Sequence, residues 1–340
     1  MTQIPHLELK NEVLLRIQKN FPLTKRPFLA IANELHTTEE KVLEILNEAK
    51  DENIIRQTSA IFDTKKLGYN SSLVAFEIQN ENIDEAVKIL NSHPGISHNY
   101  ERNHTYNIWF TIAVAPNSDL GLEQSIEILA KKTNAKDFII LPTLKLFKIS
   151  VKLDTTNKEE KQEKLVNKKF TELELTPYHY KFIKLLQMDM NFVSEPFKSI
   201  VDELNVSYEE LFSVIEDFTN SGVMRRFASI LNHRKAGFSA NAMVVWEINP
   251  SKAQEIGEIA ASFSAVSHCY LRPQYTNWKY NLFTMIHGKT TKDTQQTIDA
   301  IEKVIEYKNK MALYSSREFK KVRIIYFSDE FENWEKENSI

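Results

Sequence analysis

The sequence predicts an α+β protein made by tandem duplication, each copy a winged helix-turn-helix followed by a ferredoxin-like βαββαβ sandwich. Three observations predict it. Blocks of the first half recur in the second in the same order; each half opens on three short helical patterns and a ribbon; and each then reads strand, helix, strand, strand, helix, strand.

The repeat is visible in three blocks. IIRQTSAIFDTKKLGYNSSLVAFEI, from Ile54, is echoed by VMRRFASILNHRKAGFSANAMVVWEI, from Val223. At an offset of 169, Arg56 meets Arg225, Ile61 meets Ile230, Lys66 meets Lys235 and Gly68 meets Gly237. Lys65 meets Arg234 and Tyr69 meets Phe238, so charge and ring character carry over. HNYER at His98 answers HCYLR at His268, an offset of 170. YNIWFT at Tyr106 answers YNLFT at Tyr280, an offset of 174, which places a four-residue insertion in the second copy.

The elements follow in order. In the first copy, apolar residues at helical spacing predict helices over Glu8–Asn20, Pro27–Leu35 and Thr38–Asp51, and a ribbon follows over Ile54–Phe62. Pro27 suits a first helical turn, and Thr38 is a plausible N-cap. The second copy repeats this at Pro177–Met188, Pro196–Leu204, Tyr208–Asn220 and Val223–Leu231. The first sandwich reads Ser72–Ile78, Ile83–Ser92, Ile96–Arg102, Tyr106–Val114, Leu120–Thr133 and Phe138–Val151. The second reads Asn241–Ile248, Ser251–Phe263, Val266–Arg272, Tyr280–His287, Thr291–Tyr307 and Glu318–Phe327. Lys152–Phe170 is rich in Lys and Glu and nearly free of aromatics, the composition of a solvated linker. The expected domains are therefore 1–62, 63–151, a linker at 152–171, 172–232, 233–328 and a tail at 329–340. A winged helix followed by such a sandwich resembles the layout of the Lrp/AsnC regulators.

Composition narrows the function. The chain has seven glycines in 340 residues and no two form a G-x-G, so neither a Rossmann dinucleotide loop nor a Walker phosphate loop is present. With 43 basic and 46 acidic residues the net charge is −3, which argues against a general polyanion binder. Cys269 is the only cysteine, which excludes an intrachain disulfide and a Cys-rich zinc site. The N-terminus lacks an apolar signal core and no run of about 20 apolar residues occurs, so a cytoplasmic protein without membrane contact is expected.

A helix-turn-helix suggests DNA, but the charges oppose it. The third helical segment carries Glu39, Glu40, Glu44, Glu48, Asp51 and Glu52 against Lys41 and Lys50, six acidic minus two basic or −4. Its counterpart carries Glu209, Glu210, Glu216 and Asp217 with no basic residue, again −4. A helix that enters a phosphate-lined groove should be neutral or basic, so DNA binding is not expected of either.

The chemistry-bearing stretches are HNYERNHTYNIWFT and SHCYLRPQYTNWKYNLFTMIHG. Strand alternation places His98, Tyr100 and Arg102 on one face, and groups His268, Tyr270 and Arg272 in the same way. Such a face offers an acid/base or iron ligand, a phenol donor and a carboxylate anchor. Cys269 alternates away from it and reads as a small buried hydrophobe. The ribbons are flanked by Arg56, Lys65 and Lys66 in one copy and by Arg225, Arg226, His233, Arg234 and Lys235 in the other. Alone these are ordinary solvated clusters; with Arg102 and Arg272 they form a set suited to a small polyanion.

Both stretches closely resemble the siroheme decarboxylases, Lrp/AsnC-like enzymes of the alternative heme and heme d1 pathways. IFDTKKLGY and PGISHNYERNHTYNIWFT are similar to the A-type subunit. ILNHRKAGFSANAMVVWEI, SHCYLRP and WKYNLFTMIHG are similar to the B-type subunit. The resemblance spans most of residues 10–150 and 172–327 and implies A-type and B-type halves fused in one chain. It departs at Gln57, where a second arginine is common, and at Lys279, where proline is common.

The resemblance implies removal of two acetate carboxylates of siroheme as carbon dioxide, giving didecarboxysiroheme. No cofactor is implied beyond the iron of the substrate, with heme as a further ligand to test. Arg225, Arg226, Arg234, Lys235 and Arg272 would anchor carboxylates in the B-type half, with Arg56, Lys65 and Arg102 as A-type counterparts. His268 and His98 are the candidate proton donors or axial iron contacts. Tyr270, Tyr100, Tyr106 and Tyr280 would orient carboxylates or relay protons. Trp109 and Trp278 would wall the pocket, with core packing an equal alternative, and His104 and His287 are weaker candidates. The halves are expected to form a pseudo-dimer within the chain, further homo-oligomerisation being left open. The rival reading is a heme- or siroheme-responsive regulator of the same layout, which would differ at the third helices.

Overall fold

The computed structural model describes residues 6–19, 21–149, 169–232, 240–288 and 290–339, so residues 152–168 of the expected linker lie outside it. The first copy runs α1 (His6–Lys19), α2 (Pro27–Glu34), α3 (Glu39–Asp51), β1 (Ile55–Phe62), β2 (Asn70–Glu77), α4 (Ile83–Ser92), β3 (Ile96–Arg102), β4 (Ile108–Val114), α5 (Gly121–Lys132), β5 (Asp137–Pro142) and β6 (Lys145–Ile149). The second runs α6 (Pro177–Leu186), α7 (Lys198–Leu204), α8 (Tyr208–Ser221), β7 (Met224–Leu231), β8 (Ala240–Glu247), α9 (Ala253–Ala261), β9 (Val266–Leu271), β10 (Leu282–Gly288), α10 (Thr291–Glu302), β11 (Asn309–Lys321) and α11 (Glu330–Asn338). Two compact units result, and each takes one piece from each copy.

The helix-turn-helix unit is intertwined. Its third helices form as their caps and spacing demand: Thr38 accepts from the Lys41 amide and Ser207 from the Glu210 amide. Gly222 closes α8 at φ +72°, a left-handed C-cap that a glycine adopts without strain. The ribbons of the two copies pair antiparallel as β1 and β7, and the hydroxyls of Thr58 and Ser229 meet at 2.6 Å in the buried centre. Phe21 packs on Phe227, Phe28 on Phe192 and Phe62 on Phe218, so rings of one copy complete the core of the other. One charge of α3 is not displayed: Glu39 is buried and paired with Arg26.

In the sandwich unit, nine of the described strands form one antiparallel sheet in the order β5-β2-β4-β3-β11-β8-β10-β9-β6. The first four and the next four each have the ferredoxin-like order, with the last strand of the motif beside the first. The halves are joined by strand exchange. β11 pairs with β8 over Asn309–Tyr314 and then with β3 from Ser315 to Lys321. β5 pairs with β2, and β6 crosses to β9. Only Thr143 and Leu144 separate β5 from β6, so the two ends of the sheet are joined by the chain.

This exchange revises two expected strands. Phe138–Val151 is two strands broken after Pro142, which has no amide to continue the ladder. The last strand of the second copy starts at Asn309, nine residues before the expected Glu318, because β8 offers a free edge to Met311 and Leu313. Tyr106 and Tyr280 precede their strands rather than opening them.

Each half has its own core between helices and sheet, Leu90, Phe110, Ile126 and Leu129 in the first and Val244, Trp246, Ile256 and Ile298 in the second. A third cluster lies on the opposite faces of both four-stranded sheets and joins Trp109, Leu141, Met243, Val245, Trp278, Phe283 and Leu313. The strands are thus buried on both faces, which explains the near-continuous apolar run of β4, interrupted only by Thr111.

Residues 329–340, read from the sequence as a tail, contain α11, which buries Phe331 and Trp334. Trp334 meets the ring of His93 at 4.3 Å, and Phe331 meets Tyr69 at 5.6 Å. His93 is buried; its Nδ1 accepts from the Gly95 amide, and desolvation pushes its pKa down to about 3. We expect Trp334→Ala to lower unfolding free energy by about 3 kcal/mol in denaturant titration, since a large buried side chain leaves a cavity. Val304→Ala, at a position 53% exposed, should stay within about 0.5 kcal/mol of wild type.

Candidate active site

The two His-Tyr-Arg stretches occupy the seams of the sheet. β3 lies between β4 and the crossing end of β11, and β9 lies between β10 and β6. Alternation holds as expected. Asn99 turns to the helical side, where it donates to Asn91 of α4, while half-buried His98 and Tyr100 and buried Arg102 share the other face. His98 and Tyr100 have ring centroids 6.3 Å apart, and His268 stacks on Tyr270 at 6.0 Å. Cys269 faces the second core; desolvation raises its thiol pKa to about 12.

Arg102 and Arg272 are almost fully buried at equivalent points. Arg102 Nη1 donates to the Leu313 carbonyl at 2.7 Å, and Arg272 Nη1 donates to the Leu141 carbonyl. These carbonyls lie next to the points where the exchanging strands change partner. Each guanidinium also lies over its neighbouring tyrosine, 5.6 Å from Tyr100 and 4.8 Å from Tyr270. Burial pulls both pKa values down to about 10, with the tyrosine acting in the opposite sense, so both remain cations at neutral pH. Among the described residues neither is ion-paired, and the Nε of each is buried without a hydrogen-bond partner. A buried cation left uncompensated is costly unless an anion joins it.

The histidines differ in what supports them. His268 Nδ1 is 2.7 Å from Ser267 Oγ, which is 2.7 Å from His287 Nε2, and His287 Nδ1 is 2.6 Å from Asn241 Oδ1. His98 Nδ1 is 2.9 Å from Ser97 Oγ, and that hydroxyl meets Thr111 Oγ1 at 2.9 Å.

The turn regions add a polar network. Tyr106 Oη donates to Asp137 at 2.6 Å and accepts from Asn277 at 2.5 Å. Desolvation, reinforced by Asp137, raises the Tyr106 pKa well above the usual phenol range, so it is a neutral donor. The insertion in the second copy places Trp278 against Trp109 at 5.4 Å and Tyr280 at 5.1 Å. Both tryptophans are fully buried in the shared cluster, where packing is their evident task.

The ribbon cations stand in the helix-turn-helix unit. Arg56 and Lys65 are exposed. Arg225 is engaged by Asp63, whose Oδ2 accepts from its Nη2 at 2.9 Å and Nε at 3.1 Å. Arg226 is half-buried, and desolvation, then Arg225, holds its pKa below the usual arginine value. Gln57, its counterpart, donates to the Gln187 carbonyl at the end of α6. His233, Arg234 and Lys235 lie outside the described residues.

Sequence reasoning did not single out Ser97, Ser267, Thr111, Asn241, Asp137 or Asn277. The serines had a signal, because each immediately precedes the histidine of its motif. Thr111 and Asn277 lie within the quoted stretches, whereas Asn241 and Asp137 are remote in sequence; Asn241 is delivered by strand register, facing His287 across β8 and β10.

Fold and site together define a fused pair of AsnC-like ligand-binding sandwiches with attached helix-turn-helix segments. Residues 66–148 and 235–320 match the AsnC-like ligand binding domain, and residues 10–56 match the siroheme decarboxylase NirDL-like HTH domain. The chain is 39% identical over 327 residues to the siroheme decarboxylase of Hydrogenobacter thermophilus, covering 96% of this chain and 97% of that protein. It is also similar to the crystal structure of the siroheme decarboxylase NirDL, with TM-score 0.77 and 34% identity over 97% of both chains. The structure of NirDL in co-complex with an iron-uroporphyrin III analogue matches with TM-score 0.76, covering 97% of this chain and 98% of that one. The chain belongs to the siroheme decarboxylase family.

Proposed function

We propose that this chain is a carboxy-lyase that removes two acetate carboxylates of siroheme as carbon dioxide, forming didecarboxysiroheme for heme or heme d1 synthesis. The observation that carries the site's part of this reading is the pair of buried, uncompensated guanidiniums of Arg102 and Arg272 beside His-Tyr faces. The end-to-end kinship with siroheme decarboxylases and the porphyrin analogue bound by NirDL support the substrate class.

The chemistry sets the protein's tasks. In each step the bond between the acetate methylene and its carboxylate carbon breaks. The electron pair passes into the macrocycle, carbon dioxide departs, and the methylene carbon takes one proton to become methyl. Oxidation state is conserved, so the chain's residues need only bind, desolvate and supply a proton. In the sandwich unit, Arg102 and Arg272 compensate carboxylates. Tyr106, held protonated, donates to Asp137 and accepts from Asn277, which fixes its ring beside the cluster. His268 and His98 supply the proton or meet the substrate's iron, since a histidine with an ordinary pKa of about 6.5 exchanges protons near neutrality.

Anaerobic incubation with siroheme, followed by product mass, tests the reading. Loss of two carbon dioxide units is expected. An unchanged substrate mass with a spectral shift would favour a ligand-responsive regulator instead, as would a gel shift on its own promoter that the porphyrin abolishes. The exposed acid on α3 and α8 predicts no such shift.

A further inference from the structure

We propose that the macrocycle lies on the sheet face of the second half, where Leu146 and Ile149, carried in by the crossing strand β6, form an apolar bed beside His268 and Tyr270. The proposal rests on the decarboxylase reading and assigns its substrate to one of two matched faces.

Register lets the two faces be compared residue by residue, because residues directly opposite on paired strands share a face. In the second half β6 sets Ile149 opposite His268 and Leu146 opposite Tyr270. In the first half β11 sets Lys321 opposite His98 and Glu318 opposite Tyr100. The two crossing strands are otherwise alike. Each carries a phenylalanine, Phe147 or Phe319, that packs on the helix-side core of the half it joins. Beside it stands a lysine that donates to a backbone carbonyl there, Lys148 to Phe263 at 3.0 Å and Lys320 to Asn91 at 2.7 Å. Leu146 and Ile149 therefore lie on the face of His268, as Glu318 and Lys321 lie on the face of His98.

The likeness ends at these residues. Leu146 is 43% and Ile149 38% exposed, two large apolar side chains held open beside Tyr270, over whose ring Arg272 lies. Glu318 and Lys321 instead pair with each other at 3.8 Å. The strand on the other side continues the contrast: β10 puts Met285 beside His268, and β4 puts Thr111 beside His98. A flexible, polarisable thioether moulds to a flat ring system. An ion pair covered by that ring would lose its water without an apolar gain, and its carboxylate would oppose an anionic ligand. The second face offers an apolar floor with a cation and a histidine at its margin. That combination matches a macrocycle whose plane is apolar and whose rim carries carboxylates.

Absorption titration of the full chain with iron-uroporphyrin III reads affinity without turnover, and a single tight site per chain is expected. Leu146→Glu with Ile149→Lys gives the second face the ion pair of the first at unchanged net charge. It should weaken binding about 30-fold or more and raise KM for siroheme by a similar factor. Glu318→Leu with Lys321→Ile should keep the tight site within about threefold. If the first double variant does not fold, Leu146→Ala takes its place, weakening binding about fivefold at an unchanged melting temperature. Two sites of equal affinity, unaltered affinity in the folded Leu146 variants, or an equal loss from the Glu318 and Lys321 pair overturns the proposal. Dissociation of a dimer in Leu146→Ala with porphyrin affinity retained would overturn it too, making the patch a contact between copies. Failure of the decarboxylase reading is distinct: wild type would bind the porphyrin on this face and leave siroheme unreacted.

Discussion

His268→Ala is expected to lower the rate of carbon dioxide release by about 10²- to 10⁴-fold, the range for loss of a positioned proton donor. The protein should remain folded, because the half-exposed ring leaves no closed cavity and its strand is paired on both sides by β10 and β6. His98→Ala is the matched test in the first half, and at least one of the two variants is expected to lose decarboxylation while keeping porphyrin binding. Single-turnover assays with siroheme, alongside the absorption spectrum of the bound substrate, separate failed chemistry from failed binding. A loss from His98→Ala alone would place proton transfer in the first half, and two fully active variants would remove histidine from the mechanism.

Gly95→Ala is expected to destabilise the protein by about 3 kcal/mol, at the upper end for overpacking, because the clash is with backbone. A Cβ there would lie 1.8 Å from the Ala113 carbonyl oxygen and 3.0 Å from the His93 ring. The Ala113 amide donates to the Gly95 carbonyl at 3.0 Å, so relief of the clash must distort the β3–β4 pairing. Gly121→Ala is the contrast. There φ is +69° with open space around the added carbon, so only the left-handed backbone opposes the change, at about 1 kcal/mol. Denaturant midpoints read both, and equal effects would mean the close approach of β3 and β4 is relaxed in solution.

That pair of glycines also marks the limit of reading by repeat. The position matched to Gly95 by the duplication is Ala265, and its carbonyl likewise accepts, from the His287 amide at 3.0 Å. The second copy carries a methyl at that position, whereas in the first a Cβ at Gly95 would lie 1.8 Å from the Ala113 carbonyl oxygen, a close approach that the repeat does not reveal. The same reasoning applies to Arg102 and Arg272. Their place on the His-Tyr face was legible from alternation, but their bonds to Leu313 and Leu141 were not, since those carbonyls arrive by strand exchange.

By itself the sequence determined the duplication, the βαββαβ order, the parity of the His-Tyr-Arg faces and the exclusion of phosphate loops. These follow from local periodicity and from residue types that a backbone either permits or forbids. Tertiary structure alone decided that the wings pair with each other, that β6 and β11 cross between sandwiches, and that Ser267 links His268 to His287. Those features depend on pairing between residues far apart in the chain, where register sets which side chains meet and one Asn–His pair in place of Ser–Ala distinguishes two nearly identical strands.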